Sequence, residues 1–402
     1  MRVALVGPFP PQQKGEAEYV QRSAEALTKF LPRDNIVIIS QYDAVPSVER
    51  SNGFLVRRAI FDRSNRPSYA PQRELVEATI QSGAEIVHVH FGPNRDYGGR
   101  LGEPLAGALR TLRARGVRTV LTLHSQWMPS DVLSSAPAQR LPRILRPLVV
   151  RYFGRFMRRL RASCDAFLCV ASARNSPLTD EFSRAYRLPN VGEELFSCVN
   201  EFSPPPQTSR PLIFSFGFLR PEKGFEVLIE AFLQYRKTGG AGRLVIAGVP
   251  LTDDDRRYAR MLRALGGGHD SIEFVEAYLE KDDVDRYLRS CSVFVLPYLS
   301  AVGNSAPLHS ALGFGRPVIA TAIPRNLPLR NAVTLVPPAS SNALANALGR
   351  LFNVPGALDE SAARARSAAM ERGADALASE QYDLYRHLLD TSADHRLKHR
   401  VE

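Results

Sequence analysis

Two cations three residues apart, Arg220 and Lys223, stand between a short apolar run and an amphipathic stretch: Phe214–Phe232 reads FSFGFLRPEKGFEVLIEAF. An apolar strand ending in a glycine turn, then two cations, then a helix beginning after Gly224, makes a grip for a diphosphate. Free N–H groups and the positive end of the helix dipole converge on the anion. Arginine can fork onto two phosphate oxygens, and lysine adds a point charge. An ordinary strand–helix turn with two solvated cations is the competing reading of these residues alone. A second candidate is His124, which closes the apolar run Thr119–Leu123. A third is Gly15, which precedes a helical pattern, so its amide can approach a phosphate or acceptor oxygen; a plain turn glycine is its alternative. His88 and His90 alternate on an apolar run, but no third ligand has metal-site spacing, so they read as strand-end polar groups.

These residues need elements to hold them. Short apolar runs alternate with helical patterns, the mark of βα repeats and parallel sheets. In the first half the expected strands are Val3–Val6, Ile36–Ile39, Ile86–His90, Thr119–Leu123 and Ala166–Val170, with helices such as Glu16–Phe30 and Glu103–Arg115. In the second half they are Leu212–Phe216, Leu244–Ala247, Ile272–Val275, Val293–Leu296, Val318–Thr321 and Val333–Val336. Helical patterns cover Glu226–Lys237, Asp254–Leu265, Val284–Cys291 and the tail Asp375–Leu389. Ser203–Arg210, with three consecutive prolines, reads as a stiff linker. The expected organisation is α/β, with a Rossmann-like domain over 1–203, a second over 204–374 and a terminal segment 375–402. Parallel sheets place ligands at the carboxyl ends of their strands, where His124, the loop Gly217–Lys223 and the loop Tyr298–Ser305 all fall.

The 402 residues suit two domains, and 44% hydrophobic content is enough for two cores. A net charge of +11 points to anionic partners: phosphorylated substrates, a membrane surface or nucleic acid. The four cysteines (Cys164, Cys169, Cys198, Cys291) have no CxxC spacing and sit in apolar segments, which predicts reduced core thiols and a cytoplasmic protein. The chain starts directly on a strand, MRVALVG, and no run is long enough to span a bilayer, so neither a signal peptide nor a transmembrane helix is expected. The first loop, GPFPPQQKGEAEY, lacks G-x-G-x-x-G, which argues against a nicotinamide enzyme.

Gly217–Gly224, GFLRPEKG, resembles the G-R-x-x-x-K-G donor-diphosphate segment of the retaining GT-B glycosyltransferases of family four. Three further segments match in order: Met1–Gly15 resembles the first strand and glycine loop, Thr122-Leu123-His124 the T-L-H strand end, and Gly313–Thr321, GFGRPVIAT, the A-x-G-x-P-V-I-A-T segment. The resemblance runs from residue 1 to about 390. It implies two Rossmann-like domains facing a central cleft, a terminal helix crossing back to the first domain, and hexosyl transfer from a nucleotide-diphosphate sugar with retention of configuration. The acceptor implied is a glycan or lipid-linked glycan, as in polysaccharide biosynthesis. By resemblance His124 contacts the donor sugar near the reacting carbon, and Arg220 and Lys223 neutralise the departing diphosphate. No cofactor and no metal are expected.

The chain departs from the family at Tyr298–Pro317, where a Glu-x7-Glu pair is usual. The two positions hold Val302 and Ser310. Ser310 can still hydrogen-bond a ribose hydroxyl, more weakly than a carboxylate. The turn Gly303-Asn304-Ser305 opens a helix whose amides can still hold the diphosphate. The missing pair keeps a rival open: a non-catalytic GT-B protein that binds nucleotide or glycan and assists a true transferase. A sugar-nucleotide epimerase is a third reading, without identifiable catalytic carboxylates.

The acidic runs Asp253–Asp255 and Asp282-Asp283 start helical patterns, where carboxylates cap free N–H groups. Arg140–Arg161, RLPRILRPLVVRYFGRFMRRLR, holds eight arginines and no acid. Arg151, Arg155 and Arg159 share a helical stripe, with Val149, Phe153, Phe156, Met157 and Leu160 as apolar faces. This composition suits an interfacial helix on an anionic membrane. A cationic surface helix packed on its own domain is the alternative. Nucleic acid is not expected as a partner, since no recognised nucleic-acid fold accompanies the patch.

Overall fold

The computed structural model describes residues 1–398 apart from positions 13, 43–44, 62, 64–67, 71, 172–174, 197, 199 and 301–304. The chain divides into a first unit, Met1–Ser197 with Ala374–Glu402, and a second, Cys198–Gly373.

The first unit is built on eight strands: β1 (Val3–Val6), β2 (Ile36–Tyr42), β3 (Ser47–Ser51), β4 (Phe54–Phe61), β5 (Ile86–Phe91), β6 (Arg118–Leu123), β7 (Ala166–Ala171) and β8 (Val191–Leu195). Their order is β3-β4-β2-β1-β5-β6-β7-β8. Pairing is parallel throughout except at the β3–β4 hairpin. Helices cover both faces, so β1 and β5 are buried along their whole length. Alternation sorts β1 between two cores. Val3 and Leu5 join Ile36, Ile38 and Leu27 on one face, and Ala4 and Val6 join Val87, Leu105 and Leu109 on the other. The terminal helix Ala374–Lys398 packs in this unit, its Ala378 and Tyr385 lying in the core that holds Val20 and Ala24.

The second unit carries β9 (Leu212–Phe216), β10 (Arg243–Ala247), β11 (Ile272–Val275), β12 (Val293–Leu296), β13 (Val318–Thr321) and β14 (Thr334–Val336). All are parallel, in the order β11-β10-β9-β12-β13-β14. Four of them begin and end where the apolar runs do. The proline-rich segment falls inside this unit. Arg316, fully buried, donates to the carbonyls of Ser203, Pro204 and Cys291, which fixes the segment to the sheet's end. All four cysteines are buried thiols.

In each sheet the strand order reverses beside a central strand: between β1 and β5, and between β9 and β12. The reversal opens a crevice at the carboxyl ends of those strands. The segments after β1, β6, β9 and β12 carry the candidate residues.

Candidate active site

In the second unit, β9 ends at Phe216 and the loop Gly217–Gly224 follows, with a single 3-10 turn at Pro221–Lys223 before the helix Phe225–Lys237. Gly224 has φ 64°, and a Cβ there would strike Pro297 O, so only glycine lets this loop close on the end of β12. Leu299 N donates to Glu222 O at 2.9 Å and ties the two loops together. Arg220 Nε lies 3.4 Å from Asp255 Oδ2, outside good hydrogen-bond alignment, and the guanidinium rests 5.6 Å from the Phe218 ring centre. Lys223 Nζ sits 3.8 Å over the Tyr298 ring. Both cations are half-buried and lean on partners that a phosphate can replace.

Tyr298 organises this region, and it carried no weight in the sequence. It is 2% exposed, its carbonyl accepts from Thr321 Oγ1 at 2.6 Å, and its hydroxyl receives a long contact from Ser305 Oγ at 3.5 Å. Through its ring, hydroxyl and carbonyl, Tyr298 thus joins the segments after β9 and β12 to the end of β13. Ser305 caps the helix Ala306–Gly313, its Oγ accepting from Leu308 N. Ser310 lies buried on that helix. Gly303 and Asn304 lie outside the described residues, as does Val302. Asp255 caps the helix Asp253–Gly266 by accepting from Leu251 N and Thr252 N, and so also steadies Arg220.

In the first unit, His124 N donates to Phe91 O at 2.9 Å, so the residue extends the pairing of β6 with β5. His124 Nε2 lies 3.2 Å from His90 Nδ1. The Tyr19 ring meets His124 edge-on, with centres 4.8 Å apart. Tyr19 belongs to the helix Gly15–Leu27, whose first residue is the candidate Gly15. Behind these rings lies a polar chain. Tyr19 Oη donates to Glu194 Oε1, Thr122 Oγ1 donates to Glu194 Oε2, and Gln381 Nε2 donates to Glu194 Oε1 at 2.9 Å. His88 Nε2 lies 2.7 Å from Thr122 Oγ1, and its Nδ1 lies 2.6 Å from Tyr385 Oη. His88 and His90 are both buried, His88 as a member of this network and His90 against His124.

Burial decides the charge states here. It holds His124 down to about 3. Burial first, then the neighbouring His124, does the same for His88, and His90 is pushed in the same direction. His88 thus stays neutral although Glu194 Oε2 is 3.7 Å away. Burial raises the Glu194 carboxyl, and its bonds from Thr122, Tyr19 and Gln381 oppose that rise. Neutral imidazoles held in fixed planes can offer hydrogen bonds but not positive charge at neutral pH.

The basic segment has a different anatomy from the one its sequence suggests. In the helix Arg146–Ala162, Phe153, Phe156, Met157 and Leu160 are buried in the domain core and Val149 packs against it. Those side chains are therefore not available to lipid. Arg158 donates to Tyr186 O, and Arg161 to Pro189 O, so both serve the fold. The exposed apolar residues lie earlier: Ile144 is 86% exposed, Leu148 53% and Tyr152 43%, four residues apart. Arg143, Arg151 and Arg155 flank them on the exposed surface. Among the described residues no helix is long and apolar enough to cross a membrane.

Residues 210–353, about a third of the chain, match the family model described as Glycosyl transferases group 1. No curated protein matches the chain. Among solved structures, a sucrose-phosphate synthase from Thermosynechococcus elongatus is similar at TM-score 0.70 and 19% identity, over 97% of this chain and 100% of that one. An α,α-trehalose-phosphate synthase (UDP-forming) from Burkholderia xenovorans, in complex with glucose-6-phosphate, follows at 0.67 and 15%, over 97% and 100%. Anabaena HepE, in complex with UDP and glucose, follows at 0.66 and 13%, over 95% and 99%. The α/β chain, with its two largely parallel sheets, thus has the GT-B fold, and its second unit carries a glycosyl transferases group 1 domain.

Proposed function

We propose that this protein is a glycosyltransferase that moves a hexose from a nucleoside-diphosphate sugar to a glycan or lipid-linked acceptor, with retention of anomeric configuration. The observation that carries this reading is the loop Gly217–Gly224. It sits at the strand-order reversal of the second sheet, inside the matched segment, with Arg220 and Lys223 on weak, replaceable partners. Two similar structures, one in complex with UDP and glucose and one with glucose-6-phosphate, favour the same chemistry. In this reading Arg220 and Lys223 neutralise the leaving diphosphate, and no metal or other cofactor is required for that step. Gly217, Ser305 and Ser310 of the second unit and Gly15 of the first are the further donor-binding residues of this reading; Gly303 and Asn304, given the same role from the sequence, lie outside the described residues. His124 hydrogen-bonds the reacting sugar. With Val302 and Ser310 in place of the glutamates, no carboxylate nucleophile is evident, which suits transfer on the front face of the sugar.

The acceptor side is read from the exposed row Ile144, Leu148 and Tyr152 flanked by arginines. It favours reversible docking on an anionic membrane, each basic residue near the surface adding about 1 kcal/mol. Replacing Ile144 and Leu148 with Ser should lower co-sedimentation with phosphatidylserine vesicles; equal pelleting would remove the membrane from the reading. A nucleic acid that competed with the vesicles would replace it.

The test of the function is a thermal-shift screen with UDP, GDP, ADP and their sugars, followed by turnover of the best donor. His124→Ala should lower turnover by about 100-fold, the scale for loss of one positioned donor, while nucleotide affinity stays near wild type. Nucleotide binding without turnover for any donor, in the presence of glycan and lipid-linked acceptors, would favour the non-catalytic rival.

A further inference from the structure

The network behind His124 leaves one buried nitrogen over. His90 is 1% exposed, and its Nε2 has no hydrogen-bond partner among the described residues. Its other nitrogen, Nδ1, faces His124 Nε2 at 3.2 Å. A neutral imidazole has one N–H and one lone pair, so the pair has two arrangements. In one, His90 carries its hydrogen on Nδ1 and donates to His124, and the orphan at His90 Nε2 is a lone pair. In the other, His124 donates, and the orphan is a buried N–H. Unpaired buried N–H groups are the rarer defect, since each gives up a full donor to water on burial. The first arrangement wins.

We propose that His90 is a positioning residue that sets the tautomer of His124: His90 Nδ1–H donates to His124 Nε2, so His124 carries its own hydrogen on Nδ1 and presents that N–H outward. The hydrogen bond at one nitrogen dictates the proton at the other. His124 is only partly buried, and its Nδ1 has no partner among the described residues. The ligand atom it would meet is therefore an oxygen acceptor, a sugar hydroxyl or a phosphate-ester oxygen. The ring cannot turn over to reverse this assignment without placing a carbon against His90. Three groups hold the geometry: the Tyr19 ring edge-on to both histidines, the Glu194 carboxylate gripping Tyr19 Oη, and the His88 ring stacked on His90 at 4.5 Å. The kinetic half of the test rests on the transferase reading; the spectroscopic half does not.

The experiment is long-range 1H–15N NMR on the full chain labelled with 15N-histidine, with His124 assigned by its loss in His124→Gln. The wild type should show His124 as the Nδ1–H form. His90→Asn, which keeps an N–H near the position of Nδ1, should preserve that form. His90→Gln, which moves its amide to the position of Nε2, should lose it and give the Nε2–H form or a mixture. An Nε2–H His124 in the wild type overturns the proposal. In parallel, His90→Gln should lower kcat by about tenfold, the scale of one hydrogen bond, with KM for the donor within about twofold, and His90→Asn should restore most of it. Equal losses in the two variants would make His90 merely structural and also overturn the proposal. Absence of turnover in the wild type would sink the transferase reading, while the NMR result would still decide this one.

Discussion

The interior of the first unit and the basic loop of the second solve opposite problems with similar residues. Around Glu194, a carboxylate, two tyrosines, a threonine, a glutamine and one histidine, His88, are buried and bonded to one another. Around Tyr298, the two cations are half-buried and touch a ring face and a helix-capping aspartate, neither by a strong hydrogen bond. Low dielectric strengthens the first arrangement and makes any gap in it costly. The second keeps its charges solvated and ready to change partners. A neutral, immobile donor suits a sugar whose position must be fixed; an exchangeable positive pair suits a diphosphate that arrives and leaves.

The comparison breaks most visibly at Glu194. Glu194→Leu strands three buried donors, and the first unit should lose about 3–5 kcal/mol, each unsatisfied group costing about 1–3 kcal/mol. Glu194→Gln keeps an acceptor and should lose less. Trp127 is the chain's one tryptophan and lies in the first unit, so its fluorescence in urea follows that unit. A loss below about 1 kcal/mol for the leucine variant would mean that the network is not a structural keystone.

Acid should separate the two regions next. His88 and His124 have folded values near 3 against an ordinary 6.5. The unfolded chain therefore takes up protons first as pH falls. Their stabilisation is complete above about 6.5 and is lost progressively from there toward 3, by about 2 kcal/mol for each at pH 5. Glu194, shifted upward, works in the opposite direction and offsets part of it. Between pH 7 and 5, the opening free energy from amide hydrogen exchange, corrected for the slower intrinsic exchange in acid, should therefore fall more in β5 and β6 than in β9 and β12. An equal fall in both sheets would put the acid-sensitive groups elsewhere.

The two regions also differ in how far the sequence reveals them. The second is local: Gly217, Arg220, Lys223 and Gly224 lie within eight residues, and the strands Leu212–Phe216 and Val293–Leu296 match their apolar runs because largely buried parallel strands read as near-continuous apolar stretches. What was hidden was Tyr298, whose partners at 223, 305 and 321 meet only through sheet order. In the first unit His124 was legible by its place after β6, but Glu194 was not. It sits in β8, VGEEL, a poor strand by composition, and its partners are 72, 175 and 187 residues away. The β3–β4 hairpin also went unread, although Asn52-Gly53 is a strong hairpin signal. Its strand β3, SVERS, is almost wholly exposed at the sheet edge and has no apolar alternation to find.

In the basic loop the expected losses are in binding, not folding. Arg220→Ala and Lys223→Ala should each weaken nucleoside-diphosphate affinity by about 1.5–3 kcal/mol, the worth of a charge-assisted contact. Asp255 keeps its two backbone donors in the arginine variant, so the helix cap survives and thermal stability should hardly move. Calorimetric titration giving wild-type affinity in both variants would return the loop to an ordinary turn.

The smallest effects give the sharpest contrast, because one substitution can be made in both places. Tyr19→Phe removes a donor from a buried carboxylate oxygen whose other donor is Gln381, and should cost the first unit about 1.5 kcal/mol. Tyr298→Phe removes a hydroxyl whose one hydrogen bond to the described residues is 3.5 Å long, at the limit of a useful bond. It keeps the ring beneath Lys223 and the carbonyl that Thr321 holds, since cation–π attraction needs the ring face and not the hydroxyl. Stability should change by less than about 0.5 kcal/mol and nucleotide affinity by less than about twofold, the range of a substitution that breaks no strong contact. A tenfold loss of affinity in Tyr298→Phe, with hydrogen exchange in β12 unchanged, would show that the hydroxyl itself reaches the ligand. The second region would then share the fixed hydroxyl chemistry of the first, and the contrast between a locked donor and an exchangeable cation pair would fail.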